Sequence, residues 1–534
     1  MDSKEKKKLR NILFRHLDGI AIIPTVAALT KIGIINFIKG HHVFLFSDLQ
    51  SNFKINDGYL NIALRLLASQ GWLNREIMID GEEISFKLTQ KGMVMLEFAN
   101  NYSSYAKCLH DLMIIEKHLF ESDKTLDSKN LLDAFDHFMT LMINEKEHNP
   151  MAWEFQKHVE GLMMGPILVS IGMSGILDQY LTTFNTLDPK IKDDFPLMNH
   201  FIKIFNKIKW MDAETFTETG MFFMKRASAY GVTVSYLPTF NNISKLLHGD
   251  PNILWKRTDN DLETHVDRRM NVWGSGGAHS LYFKKIDEII ISLFNKPIEE
   301  QPLGIADMGC GDGTLLKHLY GIIKNKTLRG KTLNEHPLHI IGADFNKAAR
   351  IVSNVRLKDA GIEHSIMKGD ISDPESHAKQ LKEKHGLDLK QMLNVRSFLD
   401  HNRIYSKPKK PFNERKCNST GAYAHRGRWI PNNELKQNLV EHFMSWKKYI
   451  GKFGLLILEL HTISPNLAAL NLGNTLATPY DATHGYSDQY IFEIDTMLSS
   501  ADEAGLMVSP NHQAKFPNNE CATISINLFT PKNC

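Results

Sequence analysis

The segment Asp307 to Gly313, with the sequence DMGCGDG, constrains the fold of this 534-residue chain more than any other feature. It follows directly after the apolar segment Leu303 to Ala306, and a helical pattern begins behind it. Glycines let a backbone turn sharply and approach a ligand closely, because no Cβ stands in the way. A glycine loop between a strand and a helix is typical of cofactor-binding α/β domains.

The spacing of the glycines separates two classes of cofactor. A dinucleotide-binding loop needs its third glycine three positions after the second; that position is Thr314, whereas the third glycine here is Gly313. A pyrophosphate also prefers a helix start without nearby anions, but this loop contains Asp307 and Asp312. Carboxylates attract a sulfonium and an α-amino group, so the motif predicts an S-adenosylmethionine site. The predicted loop residues of that site are Asp307, Gly309, Gly311 and Gly313.

Two later acids extend the predicted cofactor site. The apolar run Ile340 to Ala343 ends at Asp344, where an acid would accept hydrogen bonds from two ribose hydroxyls. Asp370 and Ile371 follow a glycine at the position where an acid meets the adenine amine. Each acid alone is more often a solvated surface group, but three in register with a glycine loop favour a binding site.

Strands and helices alternate from about residue 291 onward, which predicts a doubly wound, Rossmann-like α/β sheet of the class I methyltransferase type. The expected strands are Leu303–Met308, His339–Ala343, Leu389–Val395 and Phe453–Leu460, with Cys521–Phe529 as an antiparallel edge strand. The expected helices reach about Ile323 and cover Ala348–Lys358 and Asn433–Ile450, and the polar segment Lys324–His336 is interpreted as an insertion. The core domain is therefore placed at residues 291–534.

Residues 1–100 predict a winged-helix-like N-terminal domain, and residues 101–290 a helical lid or substrate domain. Apolar residues from Tyr59 to Leu67 recur at helical spacing, and a hairpin is expected around Asp80-Gly81. A winged helix can bind DNA, but the presumed recognition helix carries only Arg65 as a base, and phosphate contacts need several. A dimerisation or lid module is therefore favoured.

The composition argues against several partners. There are 63 Lys and Arg residues against 60 Asp and Glu, and the resulting formal charge of +3 is too balanced to indicate nucleic-acid binding. The most hydrophobic stretch, Gly19 to Ile38, contains Pro24 and Lys31 and is interpreted as core helices, not as a membrane span. The 5 cysteines are scattered, without a CxxC pair, which favours a reducing cytoplasm.

Three segments resemble a known family: HVDRRMNVWGSGGAH at His265–His279, RSFLDHNR at Arg396–Arg403 and THGYSDQ at Thr483–Gln489. They are similar to the metal-dependent C-methyltransferase domains of modular polyketide synthases, of which the first methyltransferase of the apratoxin loading module is the type case. The resemblance implies a helical lid over a Rossmann-like core, a mononuclear iron-type site, and methylation of the acidic carbon of a malonyl-type thioester. No carrier-protein segment is found in the chain, which argues against a carrier-bound substrate, so that both a small-molecule and a carrier-protein-bound acyl substrate stay open.

The resemblance points to His484 and Gln489 as metal ligands at the start of a helix reaching about Ala504. An imidazole and an amide oxygen are compatible with Fe(II) or Mn(II). A divalent metal chelated by two carbonyl oxygens would stabilise an enolate as it forms. Without the resemblance, His484 is more simply interpreted as a loop histidine that caps the following helix.

Two histidines are candidates for the general base, because His401 and His461 each come just after an expected strand. Each is equally compatible with a hydrogen-bonded structural histidine. Arg426, in a long loop after the fourth strand, is a candidate to bind a substrate carboxylate, or else part of a solvated basic loop. The segment with Trp273, Gly274, Ser275 and Gly276 is expected to close over the cofactor, or else to form a hinge between lid and core.

Three functions stay open on the sequence. The first is a metal-dependent C-methyltransferase that acts on a malonyl-type or 1,3-dicarbonyl group. The second is a metal-free O-methyltransferase for a small natural product, with a histidine base and a winged-helix homodimer interface. The third is an S-adenosylmethionine-sensing transcriptional regulator without catalysis.

Overall fold

The computed structural model describes residues 1–78, 83–120, 129–141, 149–259, 262–276, 279–412 and 417–532. Contacts group the chain into two compact units, each discontinuous in sequence. The first unit contains Met1–Ala278, Ala422–Ile430 and Ser464–Asp488. The second unit contains His279–Gly421, Pro431–Ile463 and Gln489–Cys534.

The strands are β1 Val43–Leu45, β2 Leu73–Ile77, β3 Ile84–Leu88, β4 Met211–Asp212, β5 Thr215–Phe216, β6 Gly304–Met308, β7 His339–Asp344, β8 Ser365–Lys368, β9 Leu393–Ser397, β10 Tyr423–His425, β11 Arg428–Ile430, β12 Leu455–Leu460, β13 Leu506–Phe516 and β14 Ile524–Pro531.

The helices are α1 Ser3–Ile32, α2 Ile34–Gly40, α3 Phe46–Asn52, α4 Asp57–Ser69, α5 Gln90–Met95, α6 Ala99–Tyr105, α7 Leu109–Met113, α8 Ile115–Phe120, α9 Lys129–Leu141, α10 Pro150–Ser174, α11 Ile176–Tyr180, α12 Ile191–Asp194, α13 Met198–Lys207, α14 Glu218–Met224, α15 Ser228–Ser235, α16 Leu237–Phe240, α17 Ile243–His248, α18 Arg268–Gly276, α19 His279–Phe294, α20 Thr314–Lys326, α21 Leu328–Lys331, α22 Lys347–Asp359, α23 Pro374–His385, α24 Asn432–Lys447, α25 Pro465–Leu470, α26 Ala477–Gly485 and α27 Ile494–Glu503.

The second unit is built on a sheet of 7 strands in the order β13-β14-β12-β9-β6-β7-β8. The strands β8, β7, β6, β9 and β12 are parallel, and β14 and β13 run antiparallel to their neighbours. This confirms the class I methyltransferase sheet. The expectation that the last strand, β14, forms the edge of the sheet was wrong, because β13 pairs with the outer side of β14 and is itself the edge strand. A one-turn helix occupies Leu389–Gln391, so β9 begins later than expected.

The parallel strands bring the loops of the predicted cofactor site to one edge of the sheet. In the register, Met308 of β6 lies opposite Ala343 of β7, and Asp344 lies opposite Lys368 of β8. On the other side, Met308 lies opposite Arg396 of β9. The loops that follow these four strands therefore begin side by side.

The first unit is organised around the crossing of α1 and α10. Their backbones approach so closely that a Cβ on Gly19 would lie 2.3 Å from the Cα of His158. By length and composition α1 is apolar enough to cross a membrane, but 83% of its most apolar window is buried inside the structure. This burial agrees with the interpretation of the hydrophobic stretch as core helix.

Near the N-terminus the structure contains α2, β1, α3, α4, β2 and β3 in that order, with a three-stranded sheet β1-β3-β2, and the placement of a winged-helix domain at residues 1–100 stays a prediction. The expected hairpin turn Asp80-Gly81 lies outside the described residues. The helix that would read DNA, α4, is buried. Its Arg65 is 1% exposed and donates to Asp481 at 2.8 Å, so it is not available to phosphates.

Candidate active site

The glycine loop after β6 turns through three left-handed residues. Gly309, Gly311 and Gly313 have φ angles of +80°, +55° and +79°, a region that residues with a Cβ rarely adopt. The N–H groups of Gly309 and Cys310 donate to the carbonyl of Ala343 at 2.7 and 3.0 Å, which ties the loop to β7. A Cβ on Gly311 would meet nothing within 4 Å, so a ligand can approach bare backbone there.

Asp307, near the end of β6, is a buried carboxylate with an incomplete set of partners. It is 2% exposed, and its Oδ1 has no hydrogen-bond partner among the described residues. Burial, and then the charge of Asp344, raises the pKa of Asp307 well above its usual range. An unpaired buried carboxylate is costly, and a cationic ligand group would remove that cost. Asp307 therefore fits the ammonium or sulfonium group of S-adenosylmethionine.

Asp344 is anchored by the backbone around it. Its Oδ2 accepts from the N–H of Gly311 at 3.0 Å, and its Oδ1 accepts from the N–H of Asn346 at 2.8 Å. A carboxylate oxygen accepts more than one hydrogen bond, so this oriented group can also accept from ribose hydroxyls. Phe345 follows directly and is 60% exposed, which offers a flat ring to an adenine. The sequence reasoning missed Phe345, although an aromatic residue directly after the acid was visible.

The loop after β8 lies at the same edge of the sheet and is fixed by two hydrogen bonds. The Oδ1 of Asp370 accepts from the N–H of Ser372 at 2.8 Å, and the indole N–H of Trp446 donates to the carbonyl of Ile371 at 2.7 Å. Ile371 is 8% exposed. The three predicted acids thus sit at the ends of three neighbouring strands, or in the loops directly after them.

Asp312 has a different environment from Asp307. Its Oδ1 accepts from the N–H of Thr314, the first residue of α20, at 3.0 Å, and its Oδ2 accepts from Arg356 at 2.5 Å. Of the two acids in the loop, Asp312 already has a cationic partner, and only Asp307 was predicted to bind the cofactor.

The glycine-rich segment before the core is helical in the structure. Its predicted cofactor residues Trp273, Gly274, Ser275 and Gly276 all belong to α18 in the first unit. A Cβ on Gly274 would lie 2.7 Å from the Cα of Gly231, so this glycine allows α18 to pack against α15. The ring of Trp273 lies against Gly172 of α10. Closure of this segment over the cofactor stays a prediction.

His401 and Glu459 form a buried pair in the second unit. His401 lies in a one-turn helix just after β9, and Glu459 lies on β12. The imidazole Nδ1 donates to Oε1 of Glu459 at 2.6 Å, and the same carboxylate accepts from the N–H groups of His401 and Leu460. The exposed Asn402 donates its side-chain amide to Nε2 at 3.0 Å, so the basic lone pair of the ring is directed toward an exposed side chain.

Glu459 was missed in the sequence, although a lone acid inside the apolar run LLILEL at Leu455–Leu460 was a usable signal. The turn that carries His401 is fixed by its neighbour Asp400, which accepts from Arg396 at 2.6 Å and from His442 at 2.9 Å. The imidazole is therefore oriented both by its own carboxylate and by a rigid backbone.

The side chain of His461 is buried, and both of its ring nitrogens have hydrogen-bond partners inside the protein. It is 1% exposed, its Nδ1 donates to the carbonyl of Phe492 at 3.0 Å, and its Nε2 lies 2.7 Å from Oγ of Ser525. Burial lowers its pKa to about 4. Both ring nitrogens of His461 contact buried groups, whereas Nε2 of His401 contacts the exposed Asn402, so the geometry favours His401 over His461 as the base.

Arg426 lies at the tip of a hairpin within the long segment between β9 and α24, where a loop was expected. It connects β10 and β11, with φ of +50° for Arg426 and +85° for Gly427, as in a type I′ turn. Its backbone N–H donates to Asp488 at 2.9 Å, and its guanidinium lies 5.0 Å from the ring centroid of Trp255. The side chain of Arg426 is exposed, and its backbone is strained because this turn position normally takes Asn or Gly.

The two predicted metal ligands belong to different units, His484 to the first and Gln489 to the second. The expectation that both stand at the start of one helix was wrong, because α26 ends just after His484 and α27 begins at Ile494. The imidazole Nδ1 of His484 donates to the carbonyl of Tyr480 at 2.8 Å, which places the lone pair on Nε2. Among the described residues, no group of three His, Cys, Asp or Glu side chains forms a metal cage.

Three family models match the chain. The AprA MT2-like domain matches residues 263–527, the AprA N-terminal domain residues 9–75, and the AprA winged helix domain residues 160–250. The first of these covers the second unit's sheet up to the middle of β14, and it includes all three predicted cofactor acids. The winged-helix match lies further along the chain than the predicted residues 1–100, and it covers the hairpin β4–β5 together with helices on both sides of it.

The solved structures that are similar to this chain include the following three. Apo SibL, an S-adenosylmethionine-dependent methyltransferase, is 13% identical over 70% of this chain and 98% of its own, with a TM-score of 0.36. LepI in complex with S-adenosylmethionine is 11% identical over 80% and 99%, with a TM-score of 0.38. The DszA carbon methyltransferase is 9% identical over 80% and 94%, with a TM-score of 0.29. No curated protein sequence matches the chain.

Proposed function

Because this chain belongs to the AprA-like family of S-adenosylmethionine-dependent methyltransferases, we propose that it methylates an acidic carbon of a malonyl-type or 1,3-dicarbonyl acyl substrate. The observation that carries this proposal is the pair His401–Glu459, whose Nδ1–Oε1 distance is 2.6 Å. Carbon methylation needs a base to remove a reluctant carbon-bound proton. A histidine oriented by a carboxylate is such a base.

The residues of the second unit have separate roles in the proposed reaction. The carboxylate of Glu459 fixes the tautomer of His401, so that Nε2 accepts the proton from the substrate carbon. The electron pair left on that carbon forms the new bond to the methyl group, and the methyl–sulfur bond breaks. Bound S-adenosylmethionine supplies the electrophilic methyl group. Asp307, Asp344 and the glycine loop are arranged to orient it at the same sheet edge.

Hydrogen exchange tests the base directly and without methyl transfer. We expect the protein to catalyse exchange of the C2 protons of a malonyl thioester with D₂O, and His401→Ala to abolish this exchange. The matched control is His336→Ala, which removes an exposed histidine from the loop before β7. Exchange that survives in His401→Ala contradicts the assignment. Methylation of a hydroxyl without any C2 exchange favours the O-methyltransferase.

A divalent metal such as Fe(II) or Mn(II) is part of the proposal. Its support is the geometry of His484, which donates Nδ1–H to a backbone carbonyl, as metal-ligating histidines commonly do. His484 and Gln489 would hold the metal. When bound, such a metal supplies Lewis-acid stabilisation of an enolate. Metal analysis of the purified protein, and turnover with and without a chelator, test this part; full turnover of a metal-free preparation excludes it.

Arg426 is proposed to bind the carboxylate of the acyl group. Its support is a backbone conformation that an arginine adopts only at a cost, together with a guanidinium stacked on Trp255. We further propose that the acyl group arrives as a free or carrier-bound thioester in polyketide-type biosynthesis in the cytoplasm. Assays with malonyl-carrier protein and with free malonyl thioesters separate the two forms of substrate. The burial of Arg65 weighs against the regulator that would bind DNA.

A further inference from the structure

We propose that a cleft between α19 and α20 in the second unit, outside the site described above, binds the phosphate-bearing part of a nucleotide. The cleft has a volume of about 650 Å³, within the range of about 300–1,000 Å³ that is usual for small-molecule sites. Phe283 of α19 forms one wall, residues of α20 form the floor, and Arg356 of α22 lies at one end. Its ligand chemistry follows from the floor, the charges and the aromatic wall.

The floor of the cleft is kept open by Gly321 in the middle of α20. A Cβ at this position would meet nothing within 4 Å. A glycine inside a helix destabilises it by about 1 kcal/mol relative to alanine, and no close packing partner requires a glycine here. The bare backbone instead leaves room for a ligand between Lys317, one turn before, and Asn325, one turn after.

The charges in the cleft are positive. Lys317 and Lys326 line it, and neither has an ion-pair partner in the part of the chain that the structure describes. Arg356 is shared with Asp312 at 2.5 Å. None of the described lining residues is acidic. Unpaired cations spaced along one helix attract phosphate groups.

The wall is flat and aromatic. The rings of Phe283 and His318 are stacked, with centroids 4.4 Å apart and an interplanar angle of 30°. The ring of His318 is held in place by Asp287, whose Oδ1 lies 2.6 Å from Nε2. A rigid aromatic surface beside cations is how proteins bind a base together with its phosphates. The nearly balanced charge of the whole chain, +3, favours a single nucleotide over a nucleic acid.

The same chemistry occurs in free nucleotides and in the nucleotide end of coenzyme A. We would titrate ADP, coenzyme A and pyrophosphate into the full-length protein by calorimetry, with saturating S-adenosylhomocysteine to block the adenosine site after β6. Lys317→Glu and Gly321→Leu should raise the Kd of ADP or coenzyme A at least about tenfold. The control Lys324→Glu makes the same charge change on α20 outside the cleft and should leave Kd unchanged.

Each outcome decides a part of the proposal. Binding of coenzyme A but not ADP supports a site for the coenzyme A part of an acyl donor, and equal binding of both supports a general nucleotide site. Pyrophosphate binding as tight as that of ADP overturns the aromatic part of the proposal. No binding at millimolar concentrations, or equal weakening by Lys324→Glu, overturns the site.

Discussion

Replacing Asp307 with asparagine is expected to weaken cofactor binding while it stabilises the cofactor-free protein at neutral pH. The carboxylate is 2% exposed, and its Oδ1 has no partner among the described residues. A charge-assisted hydrogen bond to a cationic ligand contributes about 1.5–3 kcal/mol. The Kd for S-adenosylmethionine should therefore rise by about 10- to 150-fold in Asp307→Asn.

The gain in stability follows from the raised pKa of Asp307, which burial and then Asp344 cause. The folded state holds the proton more tightly than the unfolded chain does, so the free energy of unfolding falls as pH rises from the ordinary carboxyl pKa to the raised one. An asparagine has no proton to lose in that window. The stability of Asp307→Asn should therefore lack this fall.

Two measurements check the prediction: calorimetric titration with S-adenosylmethionine, and thermal unfolding of the cofactor-free protein between about pH 4 and pH 8. Asp359→Asn, which changes an exposed acid at the end of α22, is the matched control and should alter neither. An unchanged Kd would refute the role of Asp307. A lower Tm of Asp307→Asn at every pH would refute the argument from its unpaired charge.

Three further substitutions test the site. Gly311→Val should abolish cofactor binding without unfolding the protein, because the valine side chain would occupy open space that the cofactor needs, at a φ of +55°. The control Gly386→Val, at a φ of +68° in equally open surroundings, carries a similar backbone strain and should bind the cofactor normally. Glu459→Gln should lower kcat by about 10²- to 10⁴-fold with the Kd for S-adenosylmethionine unchanged, and a normal kcat would remove the pair from the mechanism. Arg426→Asn should keep or raise Tm, since it relieves about 1 kcal/mol of turn strain, and should raise KM for an acidic substrate but not for its uncharged analogue; equal effects on both substrates would contradict the carboxylate role.

Local patterns were sufficient for much of the core domain. The apolar run before Asp307 and the glycines behind it predicted β6 and α20, and the next acid, Asp344, is at the end of β7 as expected. These features depend on residues close together in the sequence. The same holds for the two strands of the N-terminal hairpin: the sequence pattern indicates strands at residues 75–79 and 83–88, and the observed strands are Leu73–Ile77 and Ile84–Leu88.

Contacts between distant residues were not predictable in the same way. His401 and His461 both follow a strand, and only their partners, Glu459 for one and Ser525 for the other, separate a candidate base from a structural ring. Nor did the spacing of Arg426 indicate a hairpin, because its turn lacks the usual Asn-Gly pair. The order of the last two strands depends on pairing that no local pattern encodes.

Three of the residues that we assign to ligand sites contradict a local preference of protein structure. Asp307 is a buried carboxylate with an oxygen unpaired among the described residues, Gly321 lies inside the continuous helix α20 without a packing reason, and Arg426 adopts a left-handed conformation. Each costs about 1 kcal/mol or more in the ligand-free protein. A residue that serves stability alone would lose stability on substitution. Asp307→Asn, Gly321→Leu and Arg426→Asn should instead weaken binding while stability holds or rises, a combination that no partly unfolded variant can produce.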